Sequence, residues 1–193
     1  MKFLPVLSFL FFFSLICSAQ DSLPYDERGK LIYYEVVELK DVAKDSLIWR
    51  ANDFLNKNQK RFKLKSATGD SLLQADGKMI INKTALVLTR PSGEVKYNFY
   101  VESKAGKYRF WLTDFVFIPY QRDRYGNFVA ATTIGTPLES KPGKLNAAEW
   151  KGYISATGKE ARILAVQFKE AMLHKKAVQP VTQPVKTIST KKW

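Results

Sequence analysis

Residues 95–120 read "VKYNFYVESKAGKYRFWLTDFVFIPY", two alternating runs around Lys104-Ala105-Gly106. A Gly-containing turn between alternating apolar and polar residues specifies an antiparallel hairpin. In the run Glu94–Ser103, alternation places Val95, Tyr97, Phe99 and Val101 on one face. Lys96, Asn98, Tyr100 and Glu102 fall on the other. In Lys107–Tyr120, the first face takes Tyr108, Phe110, Leu112, Val116 and Ile118, and the second takes Lys107, Arg109, Trp111, Thr113, Phe115 and Phe117. The first sets supply a core. The second sets hold more ring surface than a solvated face needs. Strict alternation therefore predicts a basic, aromatic sheet face built from Lys96, Tyr100, Arg109, Trp111, Phe115 and Phe117. Such a face stacks sugars, attracts an anionic polymer or seats a partner protein. The plainer reading is that residues 120–146, or a second copy, cover these rings. Asp114 interrupts the alternation, either as a bulge or as a buried carboxylate with a partner such as Arg109 or Lys78.

Outward from this hairpin the pattern stays β-rich. Lys78–Thr89 follows Asp76-Gly77, and Arg90-Pro91-Ser92-Gly93 reads as the turn into Glu94. Leu64–Ala67 and Leu72–Ala75 flank Thr68-Gly69-Asp70, completing a meander. Upstream, Leu31–Leu39 ("LIYYEVVEL") predicts the first strand. Over Asp41–Asn58 the period changes to helical: Leu47, Ile48, Ala51, Phe54 and Leu55 form a stripe, with Arg50, Asp53 and Lys57 opposite and Asp41 or Asp45 as cap. Downstream, Tyr120–Asn146 is loop-like. Trp150–Ile154 reads as a short helical turn, and Lys159–Lys175 as a second helix starting at Gly158, with Ala161, Leu164, Ala165, Phe168 and Met172 on one stripe. The order β, α, several β, α predicts an α+β fold, one antiparallel sheet with two helices on one face.

The N-terminus predicts export. Lys2 precedes an apolar stretch, Phe3–Ile16, too short for a membrane span. Cys17-Ser18-Ala19 puts small residues at the −3 and −1 positions of a signal peptidase site, with cleavage between Ala19 and Gln20. Lipidation of Cys17 competes, but the preceding Ile16 is large for that processing. Residues 1–19 are thus expected to be a signal peptide, 20–174 a single domain, and 175–193 a basic, Pro/Thr-rich disordered tail carrying "VQPVTQPV". No other apolar run approaches transmembrane length. Hydrophobic residues make up 46% of the 193, enough for a core, and the formal net charge is +13. In an exported protein that charge suits an anionic glycan, an anionic lipid or an envelope protein, and nucleic acid is not expected.

Leu23–Lys57, "LPYDERGKLIYYEVVELKDVAKDSLIWRANDFLNK", resembles the opening of the bacterial domain of unknown function 4468, a family with a TBP-like fold. The matching features are Leu23-Pro24, Asp26, Gly29, Tyr33, Val36 and Val37, then Leu47, Arg50, Ala51 and Phe54. The resemblance covers residues 23–118, and more loosely 159–174. It implies a β-α-β-β-β-β-α outline and an exported life, and no reaction. The TBP-like label is structural and does not imply DNA binding.

Catalytic signals are sparse. His174 is the only histidine and suits a helix C-terminus. No His/Cys cluster suits a metal and no Gly-rich loop suits a phosphate, so no cofactor is expected. Glu35 and Glu38 fall on opposite faces of one strand. The leading function is a non-catalytic binding module of the bacterial cell envelope. The alternative is an envelope polymer-acting hydrolase using carboxylates near Asp114, which needs a second acid nearby.

Overall fold

The computed structural model describes residues 23–68, 71–85 and 88–173. The predicted signal peptide, its Ala19–Gln20 junction, Cys17, His174 and the 175–193 tail lie outside the described residues.

Among the described residues, seven strands and two α-helices follow the order β1 (Ile32–Glu38), α1 (Lys44–Lys57), β2 (Phe62–Thr68), β3 (Leu72–Ala85), β4 (Leu88–Lys104), β5 (Lys107–Arg122), β6 (Phe128–Ala130), β7 (Thr136–Pro137) and α2 (Ala147–Leu173). The five main strands form one antiparallel sheet in the order β1-β5-β4-β3-β2. The short β6 and β7 pair with β5 beyond the end of β1. Both helices pack on one face, as the α+β reading requires.

The core lies between the helices and that face. Val95, Tyr97, Phe99 and Val101 of β4, Leu73, Ala75, Met79 and Ile81 of β3, and Tyr108, Phe110 and Leu112 of β5 are all buried. Against them sit Leu47, Ala51, Phe54 and Leu55 of α1, and Ala161, Leu164, Ala165, Phe168 and Met172 of α2. Spacings of three and four residues bring each helical set onto one stripe.

Arg50 departs from the predicted polar side of α1. It is buried, and its Nη1 donates to the Met172 carbonyl at 2.6 Å, placing a cation at the end of α2. Neither expected cap acts: Ala43 is the N-cap and makes no side-chain hydrogen bond, while Asp41 sits in the left-handed region at φ 64°.

Three predicted breaks are absent. Asp76-Gly77 lies within β3, because Gly77 is overlain by the ring of its cross-strand neighbour Tyr97; a Cβ there would lie 2.4 Å from that ring. Arg90-Pro91-Ser92-Gly93 lies within β4 at a register shift. A bulge tolerates a proline without an N–H, and a Cβ on Gly93 would meet the Ile118 carbonyl at 2.3 Å. Gly158 lies inside α2, a single helix that also takes in Trp150–Ile154.

The largest correction concerns β5. Asp114 adopts φ 56°, and the β4–β5 register shifts between Lys96 and Asn98. One residue is thereby inserted, and every later side chain changes face. Phe115 and Phe117 are buried on the helix side, contrary to strict alternation. Phe115 packs beside Tyr97, and Phe117 stacks on Tyr153 at 4.2 Å between ring centres. Val116 and Ile118 take the opposite face instead.

Candidate functional site

On the face away from the helices, strand register aligns Ser66, Gln74, Tyr100, Trp111 and Tyr34 in one row across all five main strands. The Ser66 hydroxyl donates to Gln74 Oε1 at 3.4 Å, and Gln74 Nε2 donates to Tyr100 Oη at 3.1 Å. Tyr100 and Trp111 are parallel within 11°, their ring centres 5.0 Å apart. Tyr100 and Trp111 are each partly exposed, and Tyr34 is 48% exposed at the sheet edge.

The adjacent row holds Glu102 and Arg109. Arg109 Nε donates to Glu102 Oε2 at 2.6 Å, and its guanidinium lies 5.4 Å from the Trp111 ring centre. The bond to Glu102, with a further contribution from Tyr34, raises the Arg109 pKa. The turn before β1 closes the other side. Arg28 Nη2 donates to Asp26 Oδ2 at 2.7 Å and to Thr113 Oγ1 at 3.2 Å. The 26–28 turn, Ile32, Tyr34, Tyr100, Arg109, Trp111 and Thr113 line a cleft of about 680 Å³.

The cleft is aromatic but not strongly basic. Arg109 is paired with Glu102 and Arg28 with Asp26. For Asp26, burial opposes ionisation, but the Lys30 amide, then the Arg28 side chain and amide, outweigh it and hold the carboxyl below its ordinary value. A depressed carboxyl contributes stability above its unfolded pKa and loses it as pH falls through the folded value. In a carbon-detected NMR titration, Asp26 should therefore titrate below the ordinary aspartate value of about 3.9. Contacts between the turn and Thr113 should persist at mildly acidic pH and loosen only below it.

Of the six candidate residues, Tyr100, Arg109 and Trp111 converge here. Lys96 shares the face but lies four residues along β4, roughly 13 Å from Tyr100. It lines a second cleft of about 610 Å³ with Lys78, Asp76, Asn98, Asp114 and the α1–β2 turn. Phe115 and Phe117 belong to the core. The segment 120–146 does act as a cover, but only at the far end. Leu138 N–H bonds the Phe115 carbonyl at 2.9 Å, and Gly135 lies against Val116 and Ile118. Tyr100 and Trp111 stay partly exposed. Tyr34, Gln74 and Arg28 escaped the sequence reading, because their proximity to Trp111 depends on strand pairing across long separations, while Thr113 was placed on this face but not among the candidates.

Asp114 resolves as a bulge whose partner is neither Arg109 nor Lys78. Its Oδ2 accepts from Asn98 Nδ2 at 3.0 Å. Glu35 and Glu38 do face opposite ways; Glu35 turns to the helices and pairs with Lys169 at 2.7 Å. Among the described residues, no group of three or more Cys, Asp or Glu is placed to hold a metal ion, and no helix is long and apolar enough to cross a membrane.

Residues 33–118 match the family described as a domain of unknown function (DUF4468) with TBP-like fold. Two crystal structures are similar. One is of a TBP-like protein from Parabacteroides distasonis ATCC 8503, with TM-score 0.59 and 16% identity, covering 80% of this chain and 99% of that one. The other is of a DUF4468 family protein from Bacteroides ovatus ATCC 8483, with TM-score 0.54 and 14% identity, covering 82% of this chain and 94% of that one. No protein of curated function matches the sequence. The chain thus has the TBP-like fold, and over residues 33–118 it is similar to the DUF4468 family.

Proposed function

We propose that this protein is an exported, non-catalytic binding module of the cell envelope, and that it holds its ligand on the open sheet face around Trp111. The carrying observation is the Tyr100–Trp111 stack, a partly exposed aromatic pair in which both rings line a cleft. Aromatic side chains held rigid at a cleft supply contact area at small entropic cost. The Arg109–Glu102 pair and Gln74 add donors and acceptors of both kinds, which suits a hydroxyl-rich glycan better than a purely anionic chain. Export rests on the leader-like N-terminus and the small residues before Gln20.

The test is Trp111→Ala, measured for both stability and retention on purified peptidoglycan. Unfolding by urea should show a loss below about 2 kcal/mol, since one ring stack and partial burial are removed. Retention should weaken by about 1–3 kcal/mol, as for an aromatic anchor. Wild-type retention unchanged in the variant would count against the assignment.

The hydrolase alternative is favoured by one feature: Asp76 and Asp114 line the same cleft on either side of Asn98. Lys65 engages Asp76 at 2.9 Å and Asn98 engages Asp114, so each carboxylate already has a structural partner. Release of soluble fragments from peptidoglycan, abolished by Asp114→Asn, would establish hydrolysis instead of binding.

A further inference from the structure

The two edges of the sheet are built differently. β2 carries Lys63 and Lys65 and shifts register against β3 between Leu64 and Ser66, devices that keep a further strand from adding. β1 has neither. It contains no lysine or proline, and it pairs with β5 in unbroken register from Ile32 to Glu38. Its main chain alternates between two sides. Leu39 N–H bonds the Gly106 carbonyl at 2.9 Å on the β5 side, and Ile32 N–H bonds the Pro24 carbonyl at 2.9 Å on the other. The period of two therefore aims the N–H and C=O groups of Tyr34, Val36 and Glu38 away from β5. Among the described residues, no strand pairs with them.

The second, independent observation is apolar surface on both sides of that edge. On the open face, Tyr34 is 48% and Val36 54% exposed. On the helix side, Lys169 of α2 reaches Glu35 at 2.7 Å, which marks the flank of α2 that lies toward β1. Val166 and Leu173, three residues before Lys169 and four after it, share that flank and are 51% and 62% exposed. One large apolar residue at a surface is ordinary, but four around one unpaired, unprotected edge mark a contact.

We propose that β1 pairs antiparallel with β1 of a second copy, joining the two sheets about a two-fold axis at Val36. The occupant follows from the edge itself. Tyr34, Val36 and Glu38 are the outward residues left free, because Ile32 is taken by Pro24 and the chain turns off after Leu39, with Asp41 at φ 64°. A two-fold axis pairs the same segment with itself, so residue numbers across the contact have a constant sum. An axis at Val36 is the one that matches all three free residues with one another: Tyr34 opposite Glu38, and Val36 opposite Val36. That register is self-complementary in charge. Glu38 meets a tyrosine hydroxyl rather than another carboxylate, beside its own cross-strand neighbour Lys107. Glu35, already paired with Lys169, stands opposite Val37. An axis at Glu35 or Glu38 would instead set like charges directly opposite. The contact does not depend on the ligand reading at Trp111. The pairing ends at Tyr34, short of the 26–28 turn that borders that cleft.

The experiment measures the mass of the purified full chain by sedimentation equilibrium across a concentration series, for wild type and Val36→Lys. Wild type should dimerise reversibly. Val36→Lys sets two ammonium groups against each other at the axis and should weaken the dimer on the order of tenfold or more, while circular dichroism shows the protein still folded. A monomer at every concentration overturns the proposal. So does a dimer that Val36→Lys leaves unchanged, since another surface then carries it. Register is read separately by oxidative cross-linking. Cys17 is the only cysteine, so Cys17→Ser supplies a thiol-free background. Opposite residues of a hydrogen-bonded pair lie about 5.5 Å apart at Cα, within disulfide range. Val36→Cys should therefore cross-link to itself, and Tyr34→Cys should cross-link to Glu38→Cys in a mixture but not to itself. Self-linking of Tyr34→Cys would place the axis elsewhere and overturn the assigned register.

Discussion

Phe168→Ala is expected to cost about 3–5 kcal/mol of folding free energy in denaturant unfolding. No side chain in the described core touches more rings. Phe168 is fully buried, and its ring centre lies 5.1 Å from Phe54, 5.3 Å from Phe99, 5.8 Å from Tyr108 and 5.0 Å from Phe110. It therefore joins α2 to α1 and to the two central strands at once. These partners come from rigid elements and cannot collapse onto a methyl group, so most of the cavity remains. Against the roughly 5–15 kcal/mol of a typical domain, the loss takes a large share of total stability. A loss near 1 kcal/mol would mean that α2 does not pack on the sheet as described.

Phe115→Ala should fall in the same range, and it distinguishes the two possible registers of β5. Under strict alternation this ring stands on the open face beside Trp111, and its removal costs little. In the structure the left-handed Asp114 inserts one residue, and Phe115 is fully buried 6.0 Å from Tyr97. A loss of about 3–5 kcal/mol supports the bulge, and a loss comparable to that of Trp111→Ala supports unbroken alternation. Asp114→Gly gives a complementary check, because glycine adopts positive φ without a Cβ penalty and should keep the register.

The sequence carried the fold where the signals were local and periodic. The alternation of 31–39, the helical stripe from Leu47 to Leu55 and the turn at 104–106 each depend on neighbours a few residues away. The turn residues inside the long strands misled because their roles are set from a distance. Gly77 and Gly93 make room for Tyr97 and Phe117, rings on neighbouring strands, rather than for a reversal of the chain. Gly158 similarly sits within a helix that tertiary packing sustains despite its weak propensity. At the site, Tyr100, Arg109 and Trp111 were legible because they precede the bulge. Phe115 and Phe117 were misplaced because they follow it, although Asp114 did mark the interruption. Tyr34 and Arg28 required knowledge that β1 pairs with β5 and that the preceding turn folds over Thr113.

The charge reading shifts in the same way. Strand alternation predicted a basic aromatic face and the net charge of +13 an anionic partner, yet on that face the arginines nearest the rings are paired with carboxylates. Lysines gather instead beside β2: Lys63 and Lys78, with no ion pair among the described residues, and Lys96, which reaches Glu94 at 3.9 Å. Stacking and charge thus occupy different parts of one sheet, and a ligand held by one need not touch the other.

The open-face assignment is tested most directly by chemical-shift mapping of the labelled protein with soluble disaccharide-peptide fragments of peptidoglycan. Perturbations should centre on the Trp111 indole N–H and include Tyr34, Tyr100 and Arg109, with the buried Phe115 and Phe117 little affected. Saturation without any shift at Trp111, or shifts confined to exposed apolar residues of α2 such as Ile163 and Val166, would contradict a binding surface on the open sheet.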